Sequence, residues 1–201
     1  MHISEGVLSA PVLGAGAALA AAGIAVGLKK MDYDRLPQVA LLSAVFFVAC
    51  LIHVPVGPSS VHLVLNGLMG LILGWAAFPA IFVGLVLQAV LFQFGGLTVL
   101  GVNTVTMAAP AVVLYYALHP LLKNGGKVPV IVAGFLAGSL AVLLAAILTA
   151  ASLVLSDTTF TTTAGAFLLS SLPGAAVEGL ITAAAAGFLR QVKPGLLTAG
   201  S

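Results

Sequence analysis

Apolar residues fall into seven runs separated by short polar breaks: Val12 to Leu28, Gln38 to His53, Val61 to Leu73, Ala80 to Phe92, Val105 to Leu122, Val128 to Leu155 and Ala166 to Leu189. Runs of this length with almost no interior charge predict membrane-spanning helices. The third and fourth are short. At about 1.5 Å per residue they underreach a hydrocarbon core, so they either extend through Trp75-Ala76-Ala77-Phe78-Pro79 or stop at a cavity. Non-helical backbone at depth is tolerated only against protein or water.

The polar breaks differ in charge. Lys29, Lys30, Arg35, Lys123, Lys127, Arg190 and Lys193 all lie in alternate breaks, namely 29–37, 123–127 and the tail from Arg190, and they are the 7 Lys and Arg of the chain. The intervening breaks, 54–60, 93–104 and 156–165, hold no basic residue and one acid, Asp157. Basic residues concentrate on the cytoplasmic side. The expectation is an all-α membrane protein: a seven-transmembrane-helix bundle with its N-terminus outside and its C-terminus in the cytoplasm. Residues 1–201 are read as one integral-membrane domain.

Composition agrees. With 61% hydrophobic and 6% charged residues and a mean hydropathy of +1.24, the chain cannot present a charged surface to water. The net charge of +2 comes from membrane-edge residues rather than a basic patch, so nucleic acid is not an expected partner. The single cysteine, Cys50, lies in an apolar run and argues against a thiolate cluster. The first run is preceded by Glu5 and by no Lys or Arg, unlike a signal peptide, and reads as a retained span. No Gly-x-x-x-x-Gly-Lys-[Ser/Thr], His-Glu-x-x-His or Gly-x-Ser-x-Gly pattern occurs, so neither ATP-powered transport by this chain alone nor hydrolase chemistry is indicated, and the chain is read as not an enzyme.

Chemistry concentrates in residues 1–6, Met1-His2-Ile3-Ser4-Glu5-Gly6. A free amine, the residue-2 amide nitrogen and the His2 ring can close fused chelate rings around a small divalent cation, a nitrogen-rich set that suits Ni(II) or Cu(II), and Co(II) less selectively. His2 is a large second residue, so Met1 is expected to be retained. His53 ends the second run and His62 begins the third, both on the side of residues 1–6. The loop between them is stiffened by Pro55 and Pro58 and turned by Gly57. His119 falls at the basic end beside Pro120 and is read as an interfacial side chain.

Met1-His2-Ile3-x-Glu5-Gly6, a Gly-x-Ser-Ser-x-His segment, Gln88, the stretch Phe94-Gly95-Gly96-Leu97-Thr98-x-Leu100-Gly101-x-Asn103, Pro173 and Val177-Glu178-Gly179-Leu180-Ile181-Thr182 together resemble the CbiM/NikM group. These are the substrate-binding (S) membrane subunits of energy-coupling-factor importers for cobalt and nickel. The resemblance implies transport of Ni2+ or Co2+ as substrate, no cofactor of its own, a multi-pass location in the cell inner or plasma membrane, and a link to cobalamin biosynthesis. It implies as partners a transmembrane scaffold (T) subunit and ATPase (A) subunits, and it allows for a small accessory membrane subunit. It also implies the metal ligands: the Met1 amine, the His2 amide and imidazole nitrogens, and one further imidazole, carried over to His62. The group often reads Ser-His-Pro-x-Gly there, whereas Val61 precedes and Leu63 follows His62 here, with Asn66-Gly67 later, which leaves His53 as an alternative ligand. Asn103 is a candidate outer partner orienting a ligand. Glu5 and Gln88 are further candidates, and Glu178 is an ionisable residue inside the last run that either serves function or faces Gln88. Nickel is favoured over cobalt on the affinity order. An autonomous secondary transporter or channel for divalent metal is the alternative reading.

Small residues recur at four-residue spacing in Gly14-Ala18-Ala22, Gly23-Gly27 and Ala183-Gly187, a pattern for close helix packing within the bundle or against a partner.

Overall fold

The computed structural model describes residues 3–56, 59–124 and 126–198. Helices α1 (Ala10–Lys30), α2 (Leu36–Ala49), α3 (Asn66–Leu73), α4 (Ala77–Phe92), α5 (Leu100–Asn124), α6 (Lys127–Ser156) and α7 (Thr161–Val192) follow the apolar runs, and the short α8 (Gly195–Thr198) lies beyond the last of them. Five helical stretches, Ala10–Lys30, Asn66–Phe92, Leu100–Lys123, Lys127–Ser156 and Thr158–Val192, are long and apolar enough to cross a membrane. Large apolar side chains such as Leu41, Val90, Val113, Leu169 and Phe188 stand exposed on the outer helix faces, as lipid contact requires.

The third run departs from a plain helical span. Its first residues form β2 (Ser59–His62), which pairs antiparallel with β1 (His53–Val56). What was expected as a proline-stiffened loop is therefore a hairpin, with His53 opposite His62 in register. Only Asn66–Leu73 is helical, and all eight residues of α3 are buried. The chain then breaks at Gly74, whose φ of +54° suits a residue without Cβ.

Neighbours show that α3 and α4 run in opposite directions. Asn66 Nδ2 donates to the Met107 carbonyl, Gly70 abuts Ala111 and Gly74 abuts Tyr115, so α3 runs parallel to α5. On α4, Phe78 abuts Gly23 while Trp75 and Pro79 abut Gly27, so α4 runs antiparallel to α1. The chain thus descends in α3, turns at Gly74 to Ala76 and climbs back in α4. Each half is short because it need only span buried protein.

Glycine and alanine set the packing distances. Gly16, Ala20, Gly23 and Gly27 form the buried face of α1, where Cβ atoms at Gly23 and Gly27 would overlap Phe78 and the Trp75 carbonyl. Gly14, Ala18 and Ala22 are exposed instead. The most extensive helix pair is α6 with α7, an antiparallel contact in which Gly134 lies on Ala183 and Gly138 on Glu178. Arg190 Nη1 donates to Leu122 O, 3.4 Å away, joining the basic ends of α5 and α7.

Candidate metal centre

The chain ahead of α1 does not lead away from the bundle. Ser9 N donates to Ser156 Oγ at 3.1 Å, which fixes the start of α1 beside the end of α6. Six residues after Ala10, Gly16 abuts Val102, about 9 Å along the helix. Ile3 lies at that same level: its N–H donates to Asn103 Oδ1 at 3.1 Å, and Asn103 Nδ2 donates to the Ile3 carbonyl at 3.2 Å. Residues 3–9 therefore fold back into the bundle, turning at Gly6 with φ +80°. Ile3 and Leu8 are buried against Val99, Val102 and Leu153. Met1 and His2, the expected amine, amide and imidazole ligands, lie outside the described residues. The carboxamide that grips the adjacent residue by both backbone groups is within them.

Glu5 N donates to Gly95 O at 3.1 Å, and the Glu5 carboxylate accepts from Thr98 N at 3.0 Å. Thr98 and Leu97 amides at the head of α5 hold this exposed carboxyl below the usual glutamate range, the Thr98 backbone bond contributing most. Gly96, at φ +126°, leaves the space that the Glu5 side chain occupies. Glu5 thus tethers the folded-back segment, with its Oε1 turned to Thr98 just ahead of α5.

His62 is half-buried at the end of β2. Leu63 N donates to Ile52 O at 3.2 Å, closing the base of the hairpin. The next two amides, Val64 N and Leu65 N, both donate to the buried Glu178 carboxylate of α7. Leu65 takes φ +54°, which turns the chain into α3, and Asn66 follows with no exposed surface. Its Oδ1 accepts from Gly67 N at 3.0 Å. Glu178 therefore spends its acceptors on the backbone behind His62, not on Gln88 as one reading of the sequence expected. Gln88 is fully buried, with its carboxamide beside the Cys50 thiol. His53 is the register partner of His62, and its side chain lies outside what is described.

These fixtures meet on one turn of α5. Asn103 holds Ile3, and Met107 O, four residues on, holds Asn66, about 6 Å along the axis. The residue following His2 and the segment following His62 are thus anchored to the same wall. Among the described residues no group of three or more His, Cys, Asp or Glu is placed to hold a metal. His119 stands apart, half-buried at the basic end with its ring 5.2 Å from that of Tyr115. The backbone donors and acceptors of this frame (Val64, Leu65, Met107) carry no side-chain signature, which is why residue type alone does not reveal them.

Comparison with known proteins agrees with this architecture. The family described as cobalt uptake substrate-specific transmembrane region, CbiM, matches residues 2–196. A putative metal transport protein of Haemophilus influenzae is 58% identical over 123 residues, covering 61% of this chain and 60% of that protein. The fused nickel transport protein NikMN of Rhodobacter capsulatus is 32% identical over 222 residues, covering 98% of this chain and 64% of the relative. The cobalt transport protein CbiM of Sorangium cellulosum is 33% identical over 214 residues, covering 98% of this chain and 94% of the relative. The matches to the first two thus span less than two thirds of those relatives' length. A crystal structure described as that of a transition metal transporter superposes with a TM-score of 0.82 at 28% identity, covering 96% of this chain and 93% of that one. With its apolar helices and this full-length match, the chain is a multi-pass membrane protein and belongs to the CbiM family of cobalt uptake substrate-specific transmembrane regions.

Proposed function

We propose that this protein is the substrate-capture (S) subunit of an energy-coupling-factor importer for a divalent transition metal, with nickel favoured over cobalt. The Met1 amine, the His2 amide and imidazole nitrogens and the His62 imidazole bind the ion. The observation that carries this reading is the two-point grip of Asn103 on Ile3. It fixes the backbone of the residue next to His2 inside the bundle, where a solvated tail would need no such partner. The Glu178 clamp on Val64 and Leu65 supports His62 in the same role. Partners that fix ligand-bearing segments typically account for 10–100-fold in metal affinity.

The orientation follows from charge. In the proposed seven-crossing arrangement, the end of the bundle that holds residues 3–9 faces the outside and the end carrying all 7 Lys and Arg faces the cytoplasm, in an inner or plasma membrane. The T scaffold and ATPase subunits supply the energy, and an accessory membrane subunit is allowed for. That one relative is named as a fused nickel transport protein, and another as a cobalt transport protein, supports both metals as substrates. The affinity order then tilts toward nickel.

The test is calorimetric titration of Ni2+ and Co2+ into purified protein. His62→Ala should remove most binding while His53→Ala costs much less, both with helical content unchanged. The reverse order would transfer the ligand role to His53, and full binding by both variants would refute the site.

A further inference from the structure

At the end opposite the folded-back segment, a cavity of about 490 Å³ opens between the end of α1, the start of α2 and the α3–α4 turn. Lys30, Asp32, Arg35, Trp75, Tyr115 and Tyr116 are among the residues that line it. We propose that this cavity is a binding site for the phosphate headgroup of an anionic phospholipid.

The chemistry on its walls is matched to a phosphate ester at a membrane edge. Arg35 is held in place: Nη2 donates to Ile72 O at 3.2 Å and Nε to Gln38 Oε1 at 3.2 Å, so the guanidinium is fixed before any ligand arrives. The exposed Lys30 ammonium sits 5.4 Å from the centre of the Trp75 ring, a cation–π contact that leaves its N–H donors for a ligand. Tyr115 and Tyr116 meet edge to face, 5.1 Å apart, and complete an amphipathic aromatic wall of the kind that seats at headgroup depth. Asp32 is the opposing charge. Its carboxylate caps the next turn by accepting from Asp34 N at 3.1 Å.

Two features select a lipid over a soluble phosphate ester. Basic pockets between helices at the cytoplasmic edge face the anionic leaflet. In addition, across the Arg35–Gln38 wall lies an apolar groove of about 310 Å³, lined in part by Leu41, Leu68, Ile72 and Phe188, which is the kind of surface an acyl chain covers. The site rests on the proposed orientation of the basic end toward the cytoplasm and not on the metal ligands, because none of its residues belongs to that frame.

The test titrates phosphatidylglycerol, phosphatidylcholine and glycerol 3-phosphate into the full chain in neutral detergent, read by native mass spectrometry and by thermal shift. Phosphatidylglycerol should bind more tightly than phosphatidylcholine, and glycerol 3-phosphate should give no shift at the same concentration. Lys30→Gln should weaken phosphatidylglycerol binding about fivefold and Asp32→Asn should tighten it about fivefold, the effect of one charge at a membrane surface. Lys29→Gln, an exposed neighbour outside the cavity lining, should change it less than twofold. Lys30, Asp32 and Lys29 are exposed, so these changes leave the fold in place. Equal binding of the two lipids, or equal losses from Lys29→Gln and Lys30→Gln, would reduce the site to diffuse surface charge and overturn it. Saturation by glycerol 3-phosphate would replace the lipid with a soluble ester. If Lys30→Gln spared lipid binding but weakened co-purification of an ATPase module, the cavity would be a protein docking site and the proposal would fail.

Discussion

Two side chains, Asn103 and Glu178, fix the backbone next to the expected ligands; the first was read in a polar break and the second as an ionisable residue inside an apolar run. Asn103 presents one acceptor and one donor to Ile3, a match that only a carboxamide makes. Asn103→Leu should therefore free the segment and weaken metal binding by about 10–100-fold. Asn103→Asp, which keeps the acceptor for Ile3 N and loses the donor, should fall between Leu and wild type in the same calorimetric titration. A second residue-level prediction concerns Glu5. Thr98 N–H, the leading cause, depresses its pKa below the ordinary value of 4.5, so the tether is intact above that value and is lost as pH falls through the depressed one. Relative to the intrinsic exchange rate at each pH, protection of residues 5–9 should fall on acidification through that window, and in Glu5→Gln it should be low already and independent of pH. The backbone half of the frame was not legible. Val64 N, Leu65 N and Met107 O are hydrogen-bonding groups that every residue carries, and only the fold shows that they face Glu178 and Asn66.

At the scale of elements, the seven apolar runs located helices α1 to α7 and missed the short α8, and they overread the third. Val61 and His62 belong to a strand because Ser59–His62 pairs with His53–Val56, and a four-residue pairing leaves too short a period to separate from the start of an apolar run. The shortness of α3 has a packing reason. It is wholly buried and touches α2, α4, α5, α6, α7 and α8, so its ends meet protein instead of water or headgroups. Glycine makes that possible. An added Cβ at Gly70 would overlap the Ala111 carbonyl, whereas one at Gly165 on α7 meets nothing within 4 Å. Gly70→Ala should lower thermal stability in detergent by about 1–3 kcal/mol, the usual cost of overpacking. Gly165→Ala should leave it unchanged or raise it by up to about 1 kcal/mol. Equal effects would mean that α3 is free to shift away from α5. The small-residue spacing was also read only in part: Gly23 and Gly27 pack inside the bundle, while Gly14, Ala18 and Ala22 face out, and spacing alone does not say which face is turned inward.

For the whole molecule, chemistry and charge sit at opposite ends. Residues 3–9 and the hairpin at His53–His62 gather where the basic residues are absent. Lys30, Arg35, Lys123, Lys127, Arg190 and Lys193 gather where α1, α5 and α7 end and α2 and α6 begin. This separation was legible from the sequence because it depends on counting charges between apolar runs. The inward folding of residues 3–9 was legible only through the resemblance, which made Asn103 a candidate partner; spacing does not show it, because Asn103 meets Ile3 across 100 positions. The central claim is that a metal is captured by the amine and first amide of the chain, held in place through Ile3. It is tested most directly by titrating Ni2+ into three forms of the purified protein: with Met1 unmodified, with one residue added ahead of Met1, and with a tag after Ser201. The account predicts high-affinity binding in the first and third and its abolition in the second, with helical content the same in all three. Equal affinity in all three would contradict it.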